Sequence, residues 1–176
     1  PVQKACQVQA PGNDPEVIKA DLDDLELWLR GSAVPAPRDA ANPVVRRGAE
    51  LFRQAACDNC HVPELKTAAQ YPAFPKLANR SLRAYTDLLV HDMGDDLADG
   101  RPDFQAGARD WRTAPLWGLG LSAIVNGRSA LLHDGRARNV TEAILWHGGE
   151  AAASRDAFSK LPMSDRDALM KFVEAI

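Results

Sequence analysis

Apolar residues recur at helical spacing in several separated stretches of this chain. Val17, Ile18, Leu22, Leu25, Trp28 and Leu29 follow Asn13-Asp14-Pro15 and stop at Gly31. A side-chain acceptor followed by proline is a helix start, because the missing proline N–H falls where no intrahelical partner exists. The spacing predicts an amphipathic helix there. Ser32 to Pro43 contains Pro35, Pro37 and Pro43 and reads as an extended linker. A second helix is expected from Asn42-Pro43, with Val44, Val45, Gly48, Leu51, Phe52 and Ala55, running into Cys57. Residues 62–80, interrupted by Pro63, Pro72 and Pro75, read as loop. Ser81 to His91 reads as a short helix with Leu82, Tyr85, Leu88 and Leu89 on one side. Residues 92–139 carry Gly, Asp and Arg without sustained periodicity, and so long a stretch implies function or wrapping around a ligand. Asn139-Val140-Thr141-Glu142 has capping-box spacing before a helix that ends at Gly148-Gly149. Ser164-Asp165-Arg166-Asp167 opens a last amphipathic helix with Leu169, Met170, Phe172, Val173 and Ile176 as its stripe. No strand pattern competes with these helices.

Composition narrows the function classes. A chain of 176 residues suits one domain, or a domain and an arm, and buries roughly 70% of its unfolded surface. With 21 Lys+Arg against 24 Asp+Glu, the net charge of −3 gives no basic field for nucleic acid. No apolar run approaches the ~20 residues of a membrane span. The chain starts at Pro1 without a basic n-region or apolar h-region, so a signal peptide is expected to have been removed, or the chain to be cut from something longer. Three cysteines are too few for a disulfide scaffold.

Two of those cysteines lie in Cys57-Asp58-Asn59-Cys60-His61, a C-x-x-C-H motif. This is the pattern of covalent haem c attachment. Cysteines three apart lie on one side of a helical turn, so both sulfurs reach the vinyl groups of one porphyrin. The following histidine meets the iron from the same side. A thioredoxin-like dithiol would sit after a strand in a βαβ pattern, and none is present. A zinc site needs about four ligands, and the remaining cysteine is the distant Cys6. Porphyrin as part of the core also suits a chain with 5 Phe, 4 Trp and 2 Tyr. For the sixth ligand the residues offer His91, Met93, His133 and His147. Met93 and His147 stand level, because both lie beside glycines that let the backbone approach a flat ligand.

Longer stretches resemble a known family. They are Gly48-Ala49-Glu50-Leu51-Phe52 running into the haem motif and Val62-Pro63, Asp87-Leu88-Leu89-Val90-His91-Asp92-Met93-Gly94, and Trp111-Arg112-Thr113-Ala114-Pro115-Leu116-Trp117-Gly118. Leu132-His133-Asp134-Gly135-Arg136-Ala137-Arg138 and Glu142-Ala143-Ile144-Leu145-Trp146-His147-Gly148-Gly149-Glu150-Ala151 follow. In this order they resemble the C-terminal part of the di-haem oxidoreductases, also labelled thiol oxidoreductases, relatives of the bacterial di-haem cytochrome c peroxidases. The resemblance covers residues 33–176. It implies an all-α, cytochrome c-like domain around one covalent haem c, with long loops, preceded by an N-terminal helical arm or domain remnant over residues 1–32. It implies His61 as proximal ligand and His147 as distal ligand, with Met93 the alternative. It places His133 near the haem edge, bonded to a propionate, and makes Arg112, Arg136 and Arg138 candidates to pair with propionates. Trp111, Trp117 and Trp146 are expected mainly to pack.

Family members carry two C-x-x-C-H motifs and this chain carries one. The resemblance therefore implies an electron-transfer domain without catalytic residues of its own. It would take electrons from a small donor protein and relay them to a second haem on an N-terminal domain absent from this chain. The alternative is a free-standing single-haem cytochrome c. A dithiol oxidoreductase, or an open haem that reduces peroxide, are readings from other classes. Covalent haem attachment implies a periplasmic home.

Overall fold

The computed structural model describes Val8, Gly12 and residues 15–176. The chain divides into two compact units, Pro1–Ala33 and Val34–Ile176. In the first, helix α1 spans Lys19–Gly31 and buries none of its residues. The helix start expected at Asn13-Asp14 lies outside the described residues, and α1 begins four residues after Pro15, with Ile18 at its N-cap.

The second unit is built on two crossing helices. Helix α2, Pro43–Gln54, starts as its sequence predicts: Asn42 Oδ1 accepts the Val44 N–H at 2.9 Å and Pro43 occupies the first turn. Its apolar stripe, Val45, Gly48, Leu51 and Phe52, is buried. The stripe packs on the last helix, α6, Met163–Ala175. Gly48 permits the closest approach, since a β-carbon on it would lie 2.0 Å from the Ala168 carbonyl oxygen. Leu51, Phe52, Ala168, Leu169 and Val173 form the core with Val140 of α4 (Val140–Leu145) and Phe158 of α5 (Ala152–Ser159). Burial of Leu51 or Phe158 contributes about 1.5–3 kcal/mol each. Asn139 caps α4 as expected, its Oδ1 accepting the Glu142 N–H at 2.9 Å. The Glu142 carboxylate turns to Arg138 and accepts that residue's N–H.

The all-α expectation is corrected. The described residues are 44% helical with 9% strand, and two small antiparallel sheets are present. One pairs β1 (Leu65–Lys66) with β2 (Ser81–Leu82). The other pairs β3 (Val90–Asp92) with β4 (Asp110–Arg112) and sets His91 opposite Trp111. A short helix α3, Ser122–Asn126, follows. The helix expected over Ser81–His91 does not form. Tyr85 and Leu88 take left-handed backbone, with φ of 52° and 62°, which breaks any helix. The segment is instead tied to its neighbours. The Thr86 N–H donates to the Val62 carbonyl, and the Leu116 N–H donates to that of Ala84. The buried Thr86 hydroxyl donates to the Thr113 carbonyl at 2.7 Å and accepts the Leu88 N–H at 2.9 Å. An apolar spacing of three and four was satisfied here by cross-loop contacts. Among the described residues no helix is long and apolar enough to cross a membrane.

Candidate functional site

The C-x-x-C-H residues form one tight turn directly after α2. Ala56, with φ of 57°, reverses the backbone, and Cys57–Asn59 wind as a 3-10 turn. The Cys60 and His61 N–H groups both donate to the Cys57 carbonyl. In 3-10 geometry residues three apart eclipse, so Cys57 and Cys60 share a side. Both are free thiols. Burial pushes the Cys57 thiol up to about 11, with the neighbouring Asp58 carboxylate adding to it. Burial, followed by Asp87 and Glu150, raises Cys60 as well. A thiol-exchange nucleophile needs the opposite, a lowered pKa, so this environment disfavours dithiol chemistry.

His61 and His147 are presented alike. His61 Nδ1 lies 3.0 Å from the Tyr85 carbonyl, and His147 Nδ1 lies 2.7 Å from the Ala143 carbonyl. A ring that donates from Nδ1 keeps its Nε2 lone pair free. Burial lowers the pKa of both, and the proximity of His147 lowers His61 further. Neutral imidazoles are what a metal ion requires.

Both histidines line a cavity of about 660 Å³, together with Cys57, Cys60 and Met93. That volume lies within the ~300–1,000 Å³ typical of cofactor sites. Phe52, Leu116, Leu131, Val140, Ile144 and Leu169 supply apolar walls. His133 and Arg112 also line it. His133 stacks on Trp111 with ring centroids 3.5 Å apart and planes at 7°, while Trp111 Nε1–H donates to the Leu97 carbonyl at 2.9 Å. Arg136 and Arg138 are not brought to the cavity lining. Arg136 pairs with Asp134 and lies 4.8 Å over the Trp146 ring, and Arg138 pairs with Glu142. His91, although it lines the cavity, has both ring nitrogens engaged: Nδ1 at 2.9 Å from Glu150 and Nε2 at 2.8 Å from Asp87. Its nitrogens are thus held by carboxylates, and its ring lies with Asp87 and the Cys60 thiol in a group whose ligand atoms are within 4.8 Å of one another.

The glycines beside Met93 and His147, singled out in the sequence for approach to a flat ligand, are also where two backbones meet. They let the two backbone segments approach each other. A β-carbon on Gly148 would lie 2.7 Å from the Met93 carbonyl oxygen, and one on Gly94 2.9 Å from the Gly149 nitrogen. The turn after α4 is thereby pressed against the end of β3.

Tyr85, Asp87, Glu150 and Arg155 escaped the sequence reading. Tyr85 acts through its carbonyl, which no residue type signals. Arg155 lines the cavity from α5, and its nearest charge in sequence, Asp156, masks it as an ordinary surface pair. Asp87 and Glu150 stand within motifs already singled out, but their shared partner His91 becomes visible only when β3 and the glycine turn meet.

The donor set fits haem c. Two thiols share one side of a turn, and with two buried imidazoles, each anchored to a backbone carbonyl through Nδ1, they line a largely apolar cavity that also has Arg112 and Arg155 at its wall.

Comparison with known proteins agrees with this chemistry. A family model described as "Di-haem oxidoreductase, putative peroxidase" matches residues 6–176. Among solved structures the chain is similar to hydrazine synthase of Kuenenia stuttgartiensis, determined under xenon pressure. The TM-score is 0.55 and the identity 17%, over 90% of this chain and 56% of that one. At that identity the likeness speaks to fold alone, and this chain spans little more than half the length of its structural neighbour. No curated protein matches. With the family model extending over nearly its whole length, the chain belongs to the di-haem oxidoreductase family.

Proposed function

We propose that residues 34–176 form a c-type haem domain that carries electrons within a di-haem oxidoreductase. The observation that carries this is the joint placement of Cys57, Cys60, His61 and His147 on one cavity of about 660 Å³. Haem would supply a centre that gains and loses one electron without moving a bonded atom of the chain. Cys57 and Cys60 would hold it by thioether bonds, and His61 and His147 would ligate its iron. Met93, which also lines the cavity, is the competing sixth ligand.

The chain's residues do the rest. The Tyr85 carbonyl fixes the His61 tautomer by accepting from Nδ1 at 3.0 Å, which raises the basicity of Nε2. The apolar wall of Phe52, Leu116 and Leu169 excludes water and so limits reorganisation when charge changes. Arg112 and Arg155, on the cavity wall, would pair with carboxylates of the group held there. His133, locked flat against Trp111, fills the wall and leaves the iron to the other two histidines.

The partners in this reading are a haem domain preceding this chain and a small electron-donor protein. The setting is the bacterial periplasm, where covalent haem attachment takes place. One experiment tests the core of it. The chain is produced in a bacterium that carries the periplasmic attachment machinery, boiled, and run on a denaturing gel. Peroxidase stain that stays with the band, and vanishes in the Cys57→Ser, Cys60→Ser double variant, is expected. A band without stain, whose thiols alkylate freely once unfolded, contradicts covalent attachment.

A further inference from the structure

We propose that Glu150 positions His147 for the iron, as the end of a carboxylate–imidazole–carboxylate strut formed by Asp87, His91 and Glu150. This rests on the reading of His147 as the sixth ligand.

His147 stands two residues beyond the end of α4, after the cap residue Trp146, and precedes Gly148 and Gly149. Two glycines give the turn no side chain with which to fix itself, and Gly149 has φ of 50°. The turn is held from outside. Glu150 Oε1 accepts the Asp92 N–H at 3.1 Å, and its Oε2 lies 2.9 Å from His91 Nδ1. His91 Nε2 lies 2.8 Å from Asp87 Oδ2, while Asp87 Oδ1 accepts the Leu89 N–H at 2.9 Å. Asp87 stands two residues after Tyr85, whose carbonyl orients His61. One chain of bonds therefore runs from the segment that presents the proximal imidazole to the turn that presents the distal one.

The Asp87–His91 half of the strut is not a solvated surface pairing. The side chains of His91 and Asp87 are 17% and 12% exposed. Charge-assisted bonds at such sites are the stronger and better-directed ones. Glu150 is 57% exposed on its side chain, so truncating it leaves no buried hole and the variant folds. The glycine contacts with β3 remain in that variant, which separates the strut from backbone packing.

The experiment is cyanide binding to the ferric haem-loaded chain, followed by stopped-flow absorbance at rising cyanide. With His147 on the iron, the rate saturates at the rate of His147 release. We expect Glu150→Ala to raise the saturating rate by about tenfold or more, the scale on which residues that orient metal ligands act. His91→Gln, which cannot bridge both carboxylates as a cation, is expected to raise it in the same direction. Glu150→Gln keeps an acceptor for the Asp92 N–H and is expected to fall between wild type and Glu150→Ala. Glu142→Ala removes a different acid, from the helix α4 that precedes the turn, and is expected to leave the rate unchanged while lowering the melting temperature. A saturating rate for Glu150→Ala within about twofold of wild type, or an equal rise in Glu142→Ala, overturns the strut. Unsaturable binding in wild type, indistinguishable from His147→Ala, overturns the ligand assignment and the strut with it.

Discussion

Gly149 and Asp92 meet backbone to backbone, so that a β-carbon on Gly149 would stand 2.1 Å from the Asp92 carbonyl oxygen. The contact joins the turn that carries His147 to the end of β3, and its φ of 50° independently favours glycine.

Gly149→Ala therefore requires the turn and β3 to separate and adds left-handed strain. The loss of stability is expected to be at least ~1–3 kcal/mol, from strain alone before the clash is counted. Denaturant unfolding of the loaded chain measures it. A loss of a few tenths would contradict the close approach.

The pH dependence of stability has a definite sign at His91. Hydrogen bonds to Glu150 and then Asp87 raise its pKa above the ordinary 6.5. The stability this lends is complete below 6.5 and is lost as pH rises through the raised value. Glu150 is lowered from 4.5, chiefly by His91. Burial opposes ionisation of Asp87, yet the Leu89 N–H and His91 hold it below its usual 3.8. Their contributions are present above those ordinary values and are lost as pH falls through the lowered ones. The strut is thus fully formed between pH 4.5 and 6.5. Melting temperatures of wild type and His91→Asn should differ most in that window and converge on either side. A gap that stays constant with pH contradicts the pairing.

Thr86 is fully buried, and its hydroxyl serves the Thr113 carbonyl and the Leu88 N–H together. Thr86→Val keeps the shape and removes the hydroxyl that serves both partners. It should cost about 1–3 kcal/mol, because the orphaned groups stay buried. Since Thr86 adjoins Tyr85, the same variant should also loosen His61, seen as a change in the haem-loaded chain's reduction potential. An unaltered melting curve would contradict this reading.

How much of this was legible beforehand divides by the range of the interactions. Asn42-Pro43 and Asn139 announced α2 and α4 because caps are local chemistry read within a few residues. C-x-x-C-H announced the cysteine turn after α2 for the same reason. The stretch 81–91 misled because its apolar spacing matches a helix, while the partners that decide it, Val62 and Thr113, lie far away in sequence. The small sheets were hidden by their length: β3 and β4 pair over three residues each, too short for alternation to show. Gly94, Gly148 and Gly149 were visible, but their purpose was not. A glycine does not declare whether its missing side chain makes room for a ligand or for another backbone.

The arrangement of His61 and His147 is most directly tested by the near-infrared absorption of the ferric, haem-loaded chain. The account predicts a low-spin spectrum without the methionine–iron charge-transfer band, converted to a high-spin or water-ligated form in His147→Ala. A methionine band in wild type that disappears in Met93→Ala would contradict it.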